Sequence, residues 1–256
     1  VDNFGEIIAE NADGNNQGGA TSFHIAGIVG FSTATTGTQH FVTISDCSNE
    51  GNMTSATCRT SGICAAANRR TKMVNCINKG NQLNSCPGPD KGRIGNIACN
   101  VANVSSMTGC INYGDIISTT GARTAGIANL ANNCEFSHCA NYGNVRSDSK
   151  YRGLFWAYNS GYASWSSCVA GGTVGTYNDG KGVVDEYTDD TKVNYLGVQG
   201  SQKSTLNDIT YLIGVKDPEP PVESNAKLKI LFIGNSFTKD AVEHIPGLLA
   251  AAGIKD

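Results

Sequence analysis

Charge, proline and aromatic side chains are scarce in this chain: of 256 residues, 16% are charged, 7% are aromatic and 6 are proline. Each scarcity excludes something. A formal net charge of −3 with no long Lys/Arg run excludes an electrostatic nucleic-acid binder, so no nucleic acid is expected as a partner. No apolar run approaches the ~18 residues of a membrane helix, and the longest, Leu228 to Gly234, is interrupted by Lys229. The 10 cysteines contain no CxxC and no Cys/His pairing at zinc spacing, so no metal and no other cofactor is expected. The chain does not open on Met and has no charged-then-apolar leader, which reads as a trimmed or processed product.

What the chain has in abundance is glycine, at 31 residues, together with much Asn, Ser and Thr. Such residues turn the chain often, which favours β-architecture. Five segments align directly: DCSNEGNM, NCINKGNQ, GCINYGDI, HCANYGNV and SCVAGGTV. Their cysteines, Cys47, Cys76, Cys110, Cys139 and Cys168, follow one another at intervals of 29, 34, 29 and 29. Gly51, Gly80, Gly114, Gly143 and Gly172 stand four positions after each Cys. Asn49, Asn78, Asn112 and Asn141 stand two after the first four, and Ala170 breaks the series. NFGEI, at residues 3 to 7, reads as the tail of one earlier copy.

A second motif recurs between these segments: HIAGIVGF around Ile28, RTSGIC around Ile63, RIGNIA around Ile97, RTAGIAN around Ile127 and RGLFW around Leu154. Repeats of this length are a solenoid signature, and residues 20 to 175 show no helical periodicity. One unit is therefore expected to be one coil of a parallel β-helix, stabilised by the coils above and below it. In such a coil the repeated Gly is expected at positive φ in a corner. The repeated Asn is expected to stack as an amide ladder at a spacing of ~4.8 Å, and the repeated Cys to point inward as a reduced thiol. Cys58, Cys64, Cys86, Cys99 and Cys134 are less regular; Cys58 and Cys86 are possible neighbours in adjacent coils, as a disulfide or as further core thiols.

Three groups are candidates for binding. His24, Arg59, Arg93 and Arg123 each stand four positions before the repeated aliphatic anchor, so they would stack into a basic stripe. That stripe reads either as a solvated edge that blunts aggregation or as a groove for an anionic glycan. YRGLFWAYNSGYASW, residues 151 to 165, gathers Tyr151, Phe155, Trp156, Tyr158, Tyr162 and Trp165, 6 of 19 aromatics. Trp156 and Trp165 are either a platform for sugar rings or large side chains capping the last coils, the latter being favoured. Asp185, Glu186, Asp189 and Asp190 match no calcium loop and read as a solvated segment.

The repeats, and AGIVG at residues 26 to 30 above all, resemble the GLUG-type repeats of bacterial surface proteins over roughly residues 1 to 178. That resemblance implies an extracellular or cell-surface location and a scaffold or binding role; the stripe and the aromatic segment point to a carbohydrate or cell-surface glycan as the partner. Some parallel β-helices cleave acidic polysaccharides, but no carboxylate ladder accompanies the stripe here, so lyase chemistry is not expected.

After residue 180 the Cys/Gly pattern stops, while β-type runs continue to residue 215; KDPEPPVESN, residues 216 to 225, is a Pro-rich linker. KILFIGNSF then reads as a buried strand, a tight turn carrying Ser236 and the start of a helix. The full string KILFIGNSFTKDAVEHIPGLLAAAGI resembles the N-terminus of SGNH-type (GDSL) hydrolases, in a branch reading GNSF. The resemblance implies Ser236 as nucleophile, its backbone N–H as an oxyanion donor, and Asn235 in place of the usual Asp. Asp240 and His244 stand in the wrong register for the family's catalytic pair.

The expected architecture is thus an all-β parallel β-helix of about six coils over residues 1–215, a linker over 216–225, and an incomplete β-α segment of an α/β hydrolase over 226–256. The expected parent is a secreted or cell-surface ester hydrolase, inactive in this fragment, with the β-helix as its spacer or targeting module. A non-enzymatic adhesin or glycan-binding solenoid is the alternative.

Overall fold

A computed structural model describes residues 1–9, 24–34, 39–56, 59–86 and 92–214. The chain divides into two units, Val1–Pro218 and Glu219–Asp256, and the second lies outside the described residues. The first is a β-solenoid, nearly all β, built of short strands stacked in parallel on their equivalents one repeat away. Its one described helix, Lys192–Leu196, is a single short turn.

Four sheets run along the stack. The asparagine sheet has seven strands, from Asp2–Asn3 through Ser48–Asn49, Ile77–Asn78, Ile111–Asn112, Ala140–Asn141 and Val169–Gly172 to Thr210–Ile213. A six-stranded sheet follows it around the coil, from Ile7–Ala9 to Val174–Gly175. The arginine sheet has five strands, among them Arg59–Ser61, Arg93–Gly95 and Arg123–Ala125. The long sheet has nine, its longest being Ala98–Thr108 and Ala128–Ser137. Thr205–Asn207 and Thr210–Ile213 join the long and asparagine sheets, so the segment after residue 180 adds strands to the stack.

The repeat pattern becomes spatial register directly. Asn49 pairs with Asn78, Asn78 with Asn112 and Asn112 with Asn141. The one long interval, 34 instead of 29, is absorbed in two places. Arg93 follows Asn84 by nine positions where Arg123 follows Ser118 by five. The register of the long strand also shifts between Ala102 and Ser105, where Asn103 and Val104 take φ 57° and 66°.

Cys47, Cys76, Cys110, Cys139 and Cys168 all point into the core, beside Ile63, Ile97, Ile127, Met73 and Met107. Each donates its S–H to the carbonyl two residues earlier, from 3.1 Å for Cys47 to 3.7 Å for Cys110. That reach depends on the corner residue just before the cysteine. Asp46, Asn75, Gly109, His138 and Ser167 there all take φ between 51° and 65°. Asn and Asp tolerate this left-handed conformation better than most residues, which suits four of these corners to short polar side chains or glycine.

The repeated glycine has a different reason from the one expected. Gly51, Gly80, Gly114 and Gly143 are not at positive φ; of the series only Gly172 is, at 77°. A Cβ on Gly80 would lie 2.0 Å from the carbonyl oxygen of Gly51, and one on Gly114 would lie 2.1 Å from that of Gly80. The glycines are needed because equivalent corners stack backbone on backbone.

Candidate functional site

The asparagine ladder forms across the first five strands of its sheet. Asn3 donates from Nδ2 to Asn49 Oδ1 at 2.7 Å, Asn49 to Asn78 at 2.7 Å, Asn78 to Asn112 at 2.9 Å and Asn112 to Asn141 at 2.8 Å. The second hydrogen of each amide goes to the carbonyl of the glycine two residues on. Where Ala170 ends the series, Asn141 donates to the Gly171 carbonyl at 3.1 Å. Both donors of every rung are used, so this array is a structural element closed to ligands.

The thiols are also closed. Cys47, Cys64, Cys76, Cys99, Cys110, Cys134, Cys139 and Cys168 are buried free thiols, and Cys86 is buried. Cys58 lies outside the described residues. Burial pushes Cys64, Cys99 and Cys134 up to about 12. Cys76 and Cys139 are raised as well, by the hydrogen bond to the neighbouring Cys110 first and by burial after it. Among the described residues no three His, Cys, Asp or Glu side chains are grouped to hold a metal.

Trp156 and Trp165 are not a sugar platform. Both are fully buried. Trp165 stacks on Phe136 with ring centroids 3.7 Å apart and on Phe155 at 4.8 Å, while Trp156 donates from Nε1 to the Val198 carbonyl at 3.1 Å. Core residues widen along the stack, from Cys64, Ala98 and Ala128 to Trp156 in one column and from Ile44, Met73, Met107 and Phe136 to Trp165 in another. The helix Lys192–Leu196 lies across their coil, with Tyr195 and Leu196 carbonyls accepting from Leu154 and Phe155. Their ring faces are spent on each other, as the capping alternative requires. Of the same segment Tyr162 is exposed and Tyr151 and Tyr158 are half-buried.

The arginines of the basic stripe do stack in one row. Arg59 pairs with Arg93 and Arg93 with Arg123 in adjacent strands. His24 stands beside Arg59, with Nε2 3.0 Å from Arg59 Nη1. All four side chains are half-buried. Tyr151, not Arg152, continues the row, because Thr124 pairs with Arg152 and so Arg123 stacks on Tyr151. The Arg123 guanidinium lies 4.5 Å from the centroid of that ring. The sequence alignment on Leu154 was therefore one residue out: Ala128 pairs with Trp156, which puts Phe155 in the place of Ile127.

A second row faces this one, and sequence reasoning missed it. In the long sheet Phe31 precedes Ser32, the partner of Ala67, and so begins a column that continues through Ala66, Asn100, Leu130 and Tyr158. His24 meets Phe31 edge-on at 5.4 Å, and at the other end Tyr158 meets Tyr151 at 5.3 Å and the Arg123 guanidinium at 5.8 Å. Residues turned away from the core on two successive sheets can touch only if the corner between those sheets is concave. The floor of that corner is pinned by side chains of the long sheet. Cys99 donates to the Arg93 carbonyl at 3.0 Å, and Asn129 to the carbonyls of Arg123 and Ile94 at 2.6 and 3.1 Å.

Among the described residues the charge of this corner is unbalanced. The two ion pairs among the described residues are Lys79–Glu50 and Arg152–Asp185, so Arg59, Arg93 and Arg123 have no described carboxylate partner. Burial lowers the pKa of Arg93, with Arg59 and Arg123 adding to the effect and Cys99 opposing it. Burial and then Arg59 lower that of His24. Arg123 Nε and Asn100 Oδ1 are buried without a hydrogen-bond partner. Asp185, from the acidic segment, instead closes a two-pronged pair with Arg152 at 2.9 and 3.1 Å beside a cavity of about 510 Å³ lined in part by Lys150, Glu186 and Tyr195.

Ser236, Asn235, Asp240 and His244 lie outside the described residues. No protein-family model, curated protein or solved structure matches the chain. No helix among the described residues is long and apolar enough to cross a membrane.

Proposed function

We propose that this chain carries a glycan-targeting or spacer β-helix of an extracellular or cell-surface protein, ahead of an SGNH-type ester hydrolase domain in which Ser236 is the nucleophile. About six coils are the count supported by the seven strands of the asparagine sheet. The single observation that carries a binding role is the row of three stacked arginines with no described carboxylate partner. Like charges one strand apart repel, and a protein that needed only rigidity would gain by alternating them with acids. The hydrolase reading is supported by the string GNSF behind a buried apolar run, and the location by the GLUG-like repeats.

The test is retention of residues 1–215 on immobilised acidic glycans at low and high salt, with the Arg59→Ala/Arg93→Ala/Arg123→Ala triple variant alongside. Salt-sensitive retention lost in the triple variant supports targeting. No retention on any glycan leaves the solenoid a spacer. The alternative, a glycan-binding solenoid with no enzyme, rests on the same arginines. The two part on whether the whole protein hydrolyses an acetyl ester in a Ser236-dependent way.

A further inference from the structure

Resting on the extracellular reading and on no part of the glycan-binding one, we infer that Asn52 is an acceptor for N-linked glycosylation. The solenoid then carries a glycan of its own at the start of the strand Met53–Ser55.

The chain holds two Asn-x-Ser/Thr tripeptides, Asn52-Met53-Thr54 and Asn103-Val104-Ser105. In a chain so rich in Asn, Ser and Thr the pattern alone decides nothing, and it is the structure that separates the two. At the first, Met53 is buried while Asn52 and Thr54 are exposed. Alternation along an extended segment puts residues two apart on one face, so the amide and the hydroxyl both present themselves to solvent. At the second, Asn103 is exposed but Ser105 is 1% exposed, and its hydroxyl accepts the Thr71 backbone N–H at 3.1 Å. An enzyme that must reach amide and hydroxyl together finds both only at Asn52.

The amides differ in the same direction. Among the described residues Asn52 Nδ2 makes no hydrogen bond, while Oδ1 accepts from the Asn81 backbone N–H at 2.9 Å. Glycosylation replaces one hydrogen on Nδ2 and leaves the carbonyl, so this bond between coils survives it. Asn103 Nδ2 is already committed to Asn68 Oδ1 at 2.6 Å. The step at Asn52 takes its sugar from a lipid diphosphate-linked oligosaccharide. Nδ2 bonds to the anomeric carbon, the bond from that carbon to the diphosphate oxygen breaks, the lipid diphosphate leaves, and the enzyme takes up the amide proton.

The surroundings suit a covering sugar. Thr54 pairs with Ile8 on one side and Leu83 on the other, and these two side chains are 62% and 43% exposed. A glycan tethered at Asn52 brings the C–H faces of its first sugars over both.

The test is secretion of the full chain from yeast behind a supplied leader, with an unstructured Asn-x-Thr peptide at its C-terminus as an acceptor control. Treatment of the secreted protein with peptide N-glycosidase should remove two glycans, and peptide mapping should find Asn52 and the control converted to Asp with Asn103 unchanged. Asn52→Gln and Thr54→Ala should each leave the control glycan alone, Thr54→Ser should restore the second, and Ser105→Ala should change nothing. An occupied control beside an empty Asn52 overturns the inference, and so does occupancy of Asn103 in its place. The supplied leader imposes the compartment, so these outcomes read the site itself. The extracellular reading is tested separately, by fractionating the cells that make the protein.

Discussion

Asn78 donates one amide hydrogen to Asn112 Oδ1 and the other to the Gly80 carbonyl, each at 2.9 Å. Thirty-four residues of chain separate the two asparagines, yet one strand spacing separates them in the stack. Asn112→Ala would orphan a hydrogen of Asn78 and the oxygen of Asn141, both fully buried. Each orphaned group costs about 1–3 kcal/mol. Urea unfolding should show a fall in midpoint, and a larger one for Asn112→Asp, whose carboxylate sets acceptor against the Asn141 acceptor. An unchanged midpoint in both would mean that the ladder is an ornament of the fold.

Glycine at the stacked corner is predicted to be irreplaceable for a reason of distance. Gly80→Ala would place a Cβ 2.0 Å from the Gly51 oxygen, whereas on Gly5 the nearest atom would be 3.7 Å away. Overpacking of this kind costs about 1–3 kcal/mol or more, since backbone must move. Thermal unfolding should separate Gly80→Ala from a near-silent Gly5→Ala. Equal, small shifts would show that the coils can part freely.

The thiols should be silent in the folded protein. With Cys64, Cys99 and Cys134 held up to about 12, almost none of each is thiolate near neutral pH, and all three are buried. A thiol-reactive disulfide dye should label native protein slowly and denatured protein fully. Low labelling in both states would reveal disulfides in place of the free thiols.

Acid should weaken the fold through His24. Burial and the adjacent Arg59 lower its folded pKa below the ordinary 6.5, so below that pH the unfolded chain binds more protons than the folded one. Stability then falls as pH drops through 6.5 and goes on falling until the folded pKa is passed. Urea midpoints measured between pH 7.5 and 5 should show this slope, reduced in His24→Gln. An identical slope in that variant would place the acid sensitivity elsewhere.

Neither tryptophan should report on sugar. Trp156 and Trp165 are fully buried, so their fluorescence should resist a soluble quencher and stay unchanged on addition of neutral glycans. Quenching as strong as that of a free indole would return the two rings to the surface.

The sequence alone determined which residues lie above one another. In a solenoid every coil repeats the last, so self-similarity along the chain is adjacency in space, and the alignment of five Cys-x-x-x-Gly segments, four of them with Asn two after the Cys, already named the inward thiols and the amide ladder. The same logic put Arg59, Arg93 and Arg123 in one row. What only the tertiary structure decided is how the sheets of a single coil are angled. That angle comes from left-handed corner residues and from side chains such as Cys99 and Asn129 bonding across a bend, and the residue types at these positions change from coil to coil. So the fold turned Trp156 and Trp165 inward and set Tyr151 beneath Arg123. It also brought Phe31 against His24 and Tyr158 against Tyr151, because a repeat fixes the neighbour one coil away and says nothing of the neighbour across the corner.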